Sequence, residues 1–296
     1  MNTIARTLVV AVAAFGGSVA AAQENVLVLS SGESVTDDSV ILALEAVGHT
    51  ATLGPQYFEF DGAGIDQYTV IYLQANHNWA SGDMPGSGQA SLIDFVCKGG
   101  GLLTTEWTSY NVYVRGTFQA LGLIVPSNYA SWNTQSEATF TLDTPDPVVN
   151  AGLPDQFTFP LTSLAGTESN ITPREGAISF YTTSSFDGGS GVVGWEWGLG
   201  RVASFSTVNG TLQVGDDNFR RLIGNLAIWA GDASPGGGLP CPADCDGDGV
   251  TTIFDFLCFQ NRFSMGDTSA DCDCSGELNL FDFLCFQNLF DLGCDE

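Results

Sequence analysis

The chain is 296 residues long, sets 34 acidic against 8 basic residues, and carries a formal charge of −26 with a single lysine, Lys98. Such a balance excludes nucleic acid, which demands a basic footprint, and an anionic membrane surface; it fits a soluble extracellular protein. At 44% hydrophobic and 11% aromatic residues, the chain has material for more than one packed core and is not a disordered one.

Met1 to Ala22 reads as a secretory signal. Arg6 gives the positive start, Leu8 to Phe15 the apolar run, and Ala20-Ala21-Ala22 the small-residue cleavage site before Gln23. The run is too short to span a bilayer, and no later stretch reaches that length. The expected mature protein is exported, secreted or held at a cell surface, with no membrane span.

Residues 25–232 read as one α/β domain. Asn25 to Ser30 is a short apolar run fit for a buried parallel strand. Thr36 to Val47 has helical spacing of Val40, Ile41, Leu44 and Val47, and Gly48 ends it. Strands are expected at His49 to Leu53, Tyr68 to Leu73 and Leu102 to Trp107, with a helix over Ala90 to Lys98 between the last two. This alternation predicts a parallel sheet with helices on both faces. Further on, Glu137 to Leu142, Val192 to Trp197 and Gly200 to Ser206 read as strands and Asn218 to Ala230 as a closing helix.

Gly99-Gly100-Gly101-Leu102-Leu103, Asp146-Pro147 with Gly152-Leu153-Pro154, Gly200-Arg201-Val202, and Phe219 to Ala230 together resemble the ThuA-like family. That resemblance implies the flavodoxin-like fold of class I glutamine amidotransferases. The amidotransferases place a nucleophilic cysteine after the strand that is Leu102–Glu106 here, where this chain has Glu106-Trp107. The family's His-Pro is replaced by Asp146-Pro147, and its Gly-His by Asn209-Gly210. Only His49 and His77 remain as imidazole bases, so the domain is expected to bind rather than to catalyse. Cys97, inside a helical pattern, reads as a structural buried thiol.

Ligands of open parallel sheets bind outside the carboxyl ends of the strands. Those ends are Ser30 to Glu33, Asn76 to Trp79, and Glu106 with Trp107. Glu33, His77 and Glu106 beside two indoles would suit a carbohydrate, and Glu33 with Glu106 an acid/base pair if about 5–10 Å apart. The plain alternative is a solvated Glu33, a loop-capping His77 and indoles that fill the rim.

Ala233-Ser-Pro-Gly-Gly-Gly-Leu-Pro240 is a linker by its Pro and Gly content. From Cys241 to Glu296 the chain then repeats itself at an offset of 27 residues (271 − 244), from Asp244 to Asp271 and from Asp255 to Asp282. Each copy is a loop followed by a helix, so this end is all-α. A hard cation needs six to eight oxygens, which a short loop supplies from alternate positions. The first copy offers Asp244, Asp246, Asp248, the Val250 carbonyl, Thr252 and Asp255; the second Asp271, Asp273, Ser275, the Glu277 carbonyl, Asn279 and Asp282. Calcium is the expected ion, held less tightly by the second copy, where Ser275 replaces a carboxylate.

These loops, with Asp at the twelfth position and the twice-repeated Phe-Asp-Phe-Leu-Cys-Phe-Gln-Asn, resemble dockerin modules of the cysteine-containing type. The resemblance implies docking to a cohesin-like or other surface receptor; Thr251 stands where the family prefers an aliphatic residue. Phe254, Phe259, Phe281 and Phe286 are candidates for the docking face, or for the module's small core.

All eight cysteines lie after the signal, seven of them in the tail, and export makes disulfides the default. The repeat symmetry suggests Cys245–Cys258 and Cys272–Cys285 as equivalent bridges and Cys241–Cys294 as a clasp, with Cys97 and Cys274 left over. Two functions follow from the whole: a secreted, calcium-dependent, dockerin-anchored protein with a silent binding domain, or a surface-anchored hydrolase acting on glycans.

Overall fold

A computed structural model describes residues 23–75, 82–162, 167–231, 243–246, 250–275 and 277–293. Four strands open the chain: β1 (Asn25–Ser30), β2 (Thr50–Gln56), β3 (Val70–Leu73) and β4 (Gly101–Thr104). They alternate with α1 (Ser34–Ala46) and α2 (Gly86–Cys97), and all their pairings are parallel. β3 and β4 are buried along their whole length and β1 nearly so, because helices cover both faces of a parallel sheet and leave no wet side.

The expected parallel sheet is only half of the sheet formed. A short helix α3 (Glu106–Tyr110) leaves β4, and seven further strands follow: β5 (Ser127–Asn133), β6 (Glu137–Leu142), β7 (Gln156–Pro160), β8 (Glu168–Pro173), β9 (Ile178–Thr183), β10 (Ser190–Trp197) and β11 (Gly200–Phe205). β11 returns to pair parallel with β4. From there β10, β9, β6 and β7 extend the sheet in antiparallel fashion, while β8 pairs with both β10 and β5. β7 alternates buried and exposed residues, as a strand with one wet face does.

Helices α4 (Thr211–Gly215) and α5 (Asp217–Gly231) close the domain. One core cluster lies under α1 and α5, with Phe140, Phe159 and Phe219; the other lies under α2, with Phe60, Phe118 and Trp195. His49 ties the residue before β1 to α5: its Nδ1 accepts from the Glu24 N–H at 3.1 Å and its Nε2 meets the Gly224 carbonyl at 3.1 Å. Burial lowers its pKa, against the Gly224 carbonyl; an Nδ1 that accepts an N–H carries no proton, and the ring serves as a structural strut.

Gly200 lets β11 start where it does. A Cβ there would stand 2.2 Å from the Val96 carbonyl oxygen and 2.3 Å from that of Gly100. Both obstacles are backbone, so the chain has to move. Gly200→Ala is expected to cost about 1–3 kcal/mol, read as a lower urea midpoint at unchanged slope; an unshifted midpoint contradicts the packing.

The tail holds α6 (Ile253–Met265), a 3-10 turn at Thr268–Ala270, and α7 (Leu280–Leu292). Its own core is small. Phe259 and Phe286 stack with ring centroids 4.1 Å apart, near Ala270, Phe256, Phe283 and Phe290. Phe254 and Phe281 instead stand 66% and 67% exposed. The four phenylalanines therefore divide: Phe259 and Phe286 build the core, and the other two face solvent. Among the described residues no helix is long and apolar enough to cross a membrane.

Candidate metal centres and a buried carboxyl pair

Both tail helices start in the same way. Thr252 Oγ1 accepts from the Phe254 N–H at 3.1 Å, and Asp255 Oδ2 accepts from the Thr252 N–H at 2.7 Å. In the second copy Asn279 Oδ1 accepts from the Phe281 N–H at 2.8 Å, and Asp282 Oδ2 from the Asn279 N–H at 2.7 Å. These are reciprocal capping boxes. The second carboxylate oxygen reaches back into the loop: Asp255 Oδ1 accepts from the Asp246 N–H at 3.1 Å and Asp282 Oδ1 from the Asp273 N–H at 3.3 Å.

Each helix start thereby draws three carboxylates together. Asp244, Asp246 and Asp255 bring oxygens within 4.8 Å of one another, and so do Asp271, Asp273 and Asp282. Asp255 and Asp282 are fully buried. Burial pushes the Asp255 carboxyl up, but the hydrogen bonds from Thr252 and Asp246 outweigh it and hold the group below its ordinary value. Oxygens gathered around a calcium ion at about 2.3–2.6 Å lie at most about 5 Å apart, so the clusters have the right spread. The donors are all hard oxygens. The residues therefore fit a hard divalent cation, and either cluster could hold one.

The remaining expected ligands are placed as follows. Val250 and Glu277 lie exposed in their loops. The Ser275 N–H donates to Asp271 Oδ1 and Asp273 Oδ1, both at 3.0 Å, and its hydroxyl donates to the Glu277 carbonyl at 3.2 Å. The side-chain oxygens of Thr252 and Asn279 are engaged as helix caps. Asp248 lies outside the described residues, as do His77, Trp79, Cys241 and Cys294.

Cys245–Cys258 and Cys272–Cys285 are bonded, with Cα atoms 5.9 and 5.8 Å apart, and each ties a loop to its helix. Cys97 and Cys274, expected to be left over, are bonded to each other, so Cys97 is not a free thiol. The second loop is packed against the end of α2, a contact across a separation of 177 residues that local spacing cannot reveal. These bridges fit an oxidising, extracellular environment.

In the α/β domain Glu33 is exposed before α1 and makes no side-chain cap. Glu106 is fully buried at the start of α3, and its neighbour is Glu168 at the head of β8, equally buried. Sequence reasoning passed over Glu168, because Glu-Ser-Asn at the start of a polar stretch looks like a solvated loop. Ser169 Oγ donates to Glu106 Oε1 at 3.1 Å, and Ser206 Oγ to Glu168 Oε1 at 2.9 Å. Among the described residues, Oε2 of each has no hydrogen-bond partner.

Burial raises the Glu106 carboxyl well above the usual range; the Ser169 hydroxyl opposes this and Glu168 adds to it. Burial also raises Glu168, against the hydroxyls of Ser185, Thr183 and Ser206. Tyr129, half-buried, is pushed up to about 12 by burial and then by Glu106 and Tyr110. Trp107, Tyr110 and Tyr129 meet edge to face beside the pair, at 4.8 and 5.8 Å between centroids. Chemically this is a buried carboxyl pair whose neutral, proton-bearing form is favoured by its surroundings.

The fold has known relatives. A cytoplasmic protein of Salmonella typhimurium LT2 matches with a TM-score of 0.53 at 13% identity, over 70% of this chain and 99% of its own. A second Salmonella typhimurium cytoplasmic protein gives 0.51 at 16% identity, over 70% and 98%. A protein of Bacteroides uniformis described as ThuA-like gives 0.51 at 11% identity, over 69% and 89%. The body of the chain is thus similar in fold to ThuA-like proteins. No family model and no curated protein matches the sequence.

Proposed function

We propose that the chain is an exported calcium-binding protein whose C-terminal repeats dock it to a cohesin-like or other surface receptor. The ThuA-like domain is the carried part, a binding domain without a cysteine nucleophile at the strand exit. One observation supports this reading above the others. The same three-carboxylate cluster, built on the same capping box and closed by the same kind of disulfide, occurs twice at a fixed offset. The exposed Phe254 and Phe281 occupy equivalent places on the two helices, as a docking face offered twice requires. Bound calcium would supply charge neutralisation inside each loop, and Asp244, Asp246, Asp255, Asp271, Asp273 and Asp282 would hold it.

Titrating the chelated full chain with calcium in a calorimeter should give two sites of unequal affinity, the weaker lost in Asp271→Asn/Asp273→Asn. A flat trace would sink the reading. The Glu106–Glu168 pair supports a second one, a surface-anchored hydrolase of glycans, because a buried carboxyl with a raised pKa suits the acid half of glycoside cleavage.

A further inference from the structure

Cys97 ends α2 in the α/β body, while Cys274 lies between Asp273 and Ser275 in the second acidic loop, and a disulfide joins them with Cα atoms 6.1 Å apart. The bond is one part of a wider seat. The turn Thr268–Ala270 packs on β10, and Ala270 and Asp271 are 0% and 5% exposed. Cys97 Sγ lies 3.9 Å from the Cys272 carbonyl. On the other side of Cys97, the Leu199 N–H donates to its carbonyl at 3.0 Å, and a Cβ on Gly198 would come within 2.9 Å of its Cα. The loop therefore rests on a floor made from the end of α2 and the β10–β11 turn.

Cys274 also has a left-handed backbone, φ +52°. At the same place in the first copy stands Gly247, the residue for which that conformation carries no Cβ penalty. A side chain there costs about 1–2 kcal/mol. The second loop accepts this strain at a position flanked by two of its oxygen donors, and what it gains there is the crosslink. Glycine at that place in the first loop offers no sulfur for such a bond.

We propose that Cys97 is a positioning residue for the second metal loop. Acting through Cys274, it holds that loop in its ligand-ready shape, so that calcium affinity and the state of this disulfide are coupled. The inference rests on the reading that the loop binds metal. Its logic is preorganisation: a loop already ordered by the body of the protein loses less freedom when the ion arrives. That offsets part of the loss from the carboxylate missing at Ser275, and the second loop stays the weaker. The first loop, whose described bridge is Cys245–Cys258 within the tail, gains nothing from it.

The test uses the full chain in an Asp244→Asn/Asp246→Asn background, where calorimetry with calcium alone reports the second loop. Removing the tie by Cys97→Ser/Cys274→Gly is expected to weaken calcium by roughly 10-fold, the scale on which supports of metal ligands act. Cys97→Ser/Cys274→Ser, which retains the left-handed strain, should weaken it at least as much. In the complementary Asp271→Asn/Asp273→Asn background the same changes should leave the first loop's affinity as it was. Peptide mapping of Cys245–Cys258 and Cys272–Cys285 verifies that the tail has folded.

Coupling is reciprocal. In exchange with dithiothreitol, Cys97–Cys274 takes two electrons and two protons and becomes two thiols while the reagent closes to its cyclic disulfide. Saturating calcium should shift that equilibrium toward the protein disulfide by the same factor. Unchanged calcium affinity after the tie is removed, with no calcium effect on the exchange, overturns the proposal. If the second loop is silent in the chain with Cys97–Cys274 intact, the metal reading itself fails and takes this inference with it.

Discussion

Chelating calcium should melt the tail while leaving the α/β domain folded. The tail's own buried core is confined to Phe259, Phe286 and Ala270, with part-buried aromatics around them, and a module of that size needs metal and bridges to stand. An ion at about a thousandfold its Kd adds roughly 4 kcal/mol per site. In a domain this small each kcal/mol moves the melting temperature by about 4–8 °C. The tail transition should therefore fall by about 15 °C or more in chelator, with loss of the helical signal of α6 and α7.

Substitutions separate metal from capping. Asp255→Ala removes one of the three clustered carboxylates, the one that accepts from Thr252 and Asp246. It should abolish the calcium shift at the first loop and cost about 0.5–2 kcal/mol more through the lost cap. Asp255→Asn keeps an acceptor for the cap, so it should lose the shift but melt above Asp255→Ala in chelator. Coincident melting curves with and without calcium contradict the metal centres.

The second large effect concerns Glu106 and Glu168. Both carboxyls bind protons more tightly in the folded chain than in the unfolded one. As pH rises from the ordinary carboxylate range through their raised folded values, the unfolded chain has already released protons that the folded chain keeps. Stability must fall across that window. Glu106→Gln removes the larger contribution and leaves a neutral amide where a second acid stood beside Glu168. The variant should be more stable than the parent at pH 7–8 by about 1–3 kcal/mol, the usual cost of an unsatisfied buried polar group. Its advantage should vanish near pH 4.

Glu168→Gln should act in the same direction and less strongly. Urea unfolding from pH 4 to 8 measures both, and parallel pH profiles for parent and variants would rule the pair out as the cause. The same variant serves the second functional reading: sugar release from a polysaccharide by the parent, lost in the more stable Glu106→Gln, would make the pair catalytic.

The parallel half of the sheet could be read because Val26 to Leu29, Val70 to Leu73 and Leu102-Leu103 are apolar without a break, the mark of strands covered on both faces. The antiparallel half was mostly hidden. β5, SNYASWN, and β8, ESNITP, are polar stretches with no clear alternation; pairing with each other and with β10 makes them strands. α2 begins at Gly86, where Gly-Ser-Gly looked like loop, because bare Gly88 lets the helix press on Phe60, whose carbonyl lies 2.1 Å from where a Cβ would be. The two clusters of three carboxylates were legible from spacing alone, since their members lie within twelve residues. Glu106–Glu168 and Cys97–Cys274 were not, because each pair is assembled by the fold across long stretches of chain.

The side of the body on which the tail is fastened has a bearing on exposure. Cys97 precedes the first residue of β4 and Gly198 the first of β11, so the bridge grips the rim where these parallel strands begin; Glu106 and the aromatic trio sit where β4 ends, about 13 Å of strand away. Anything that grasps the repeats holds the protein by its heel. The opposite rim, beneath which the two buried acids lie, then faces away from whatever the heel stands on.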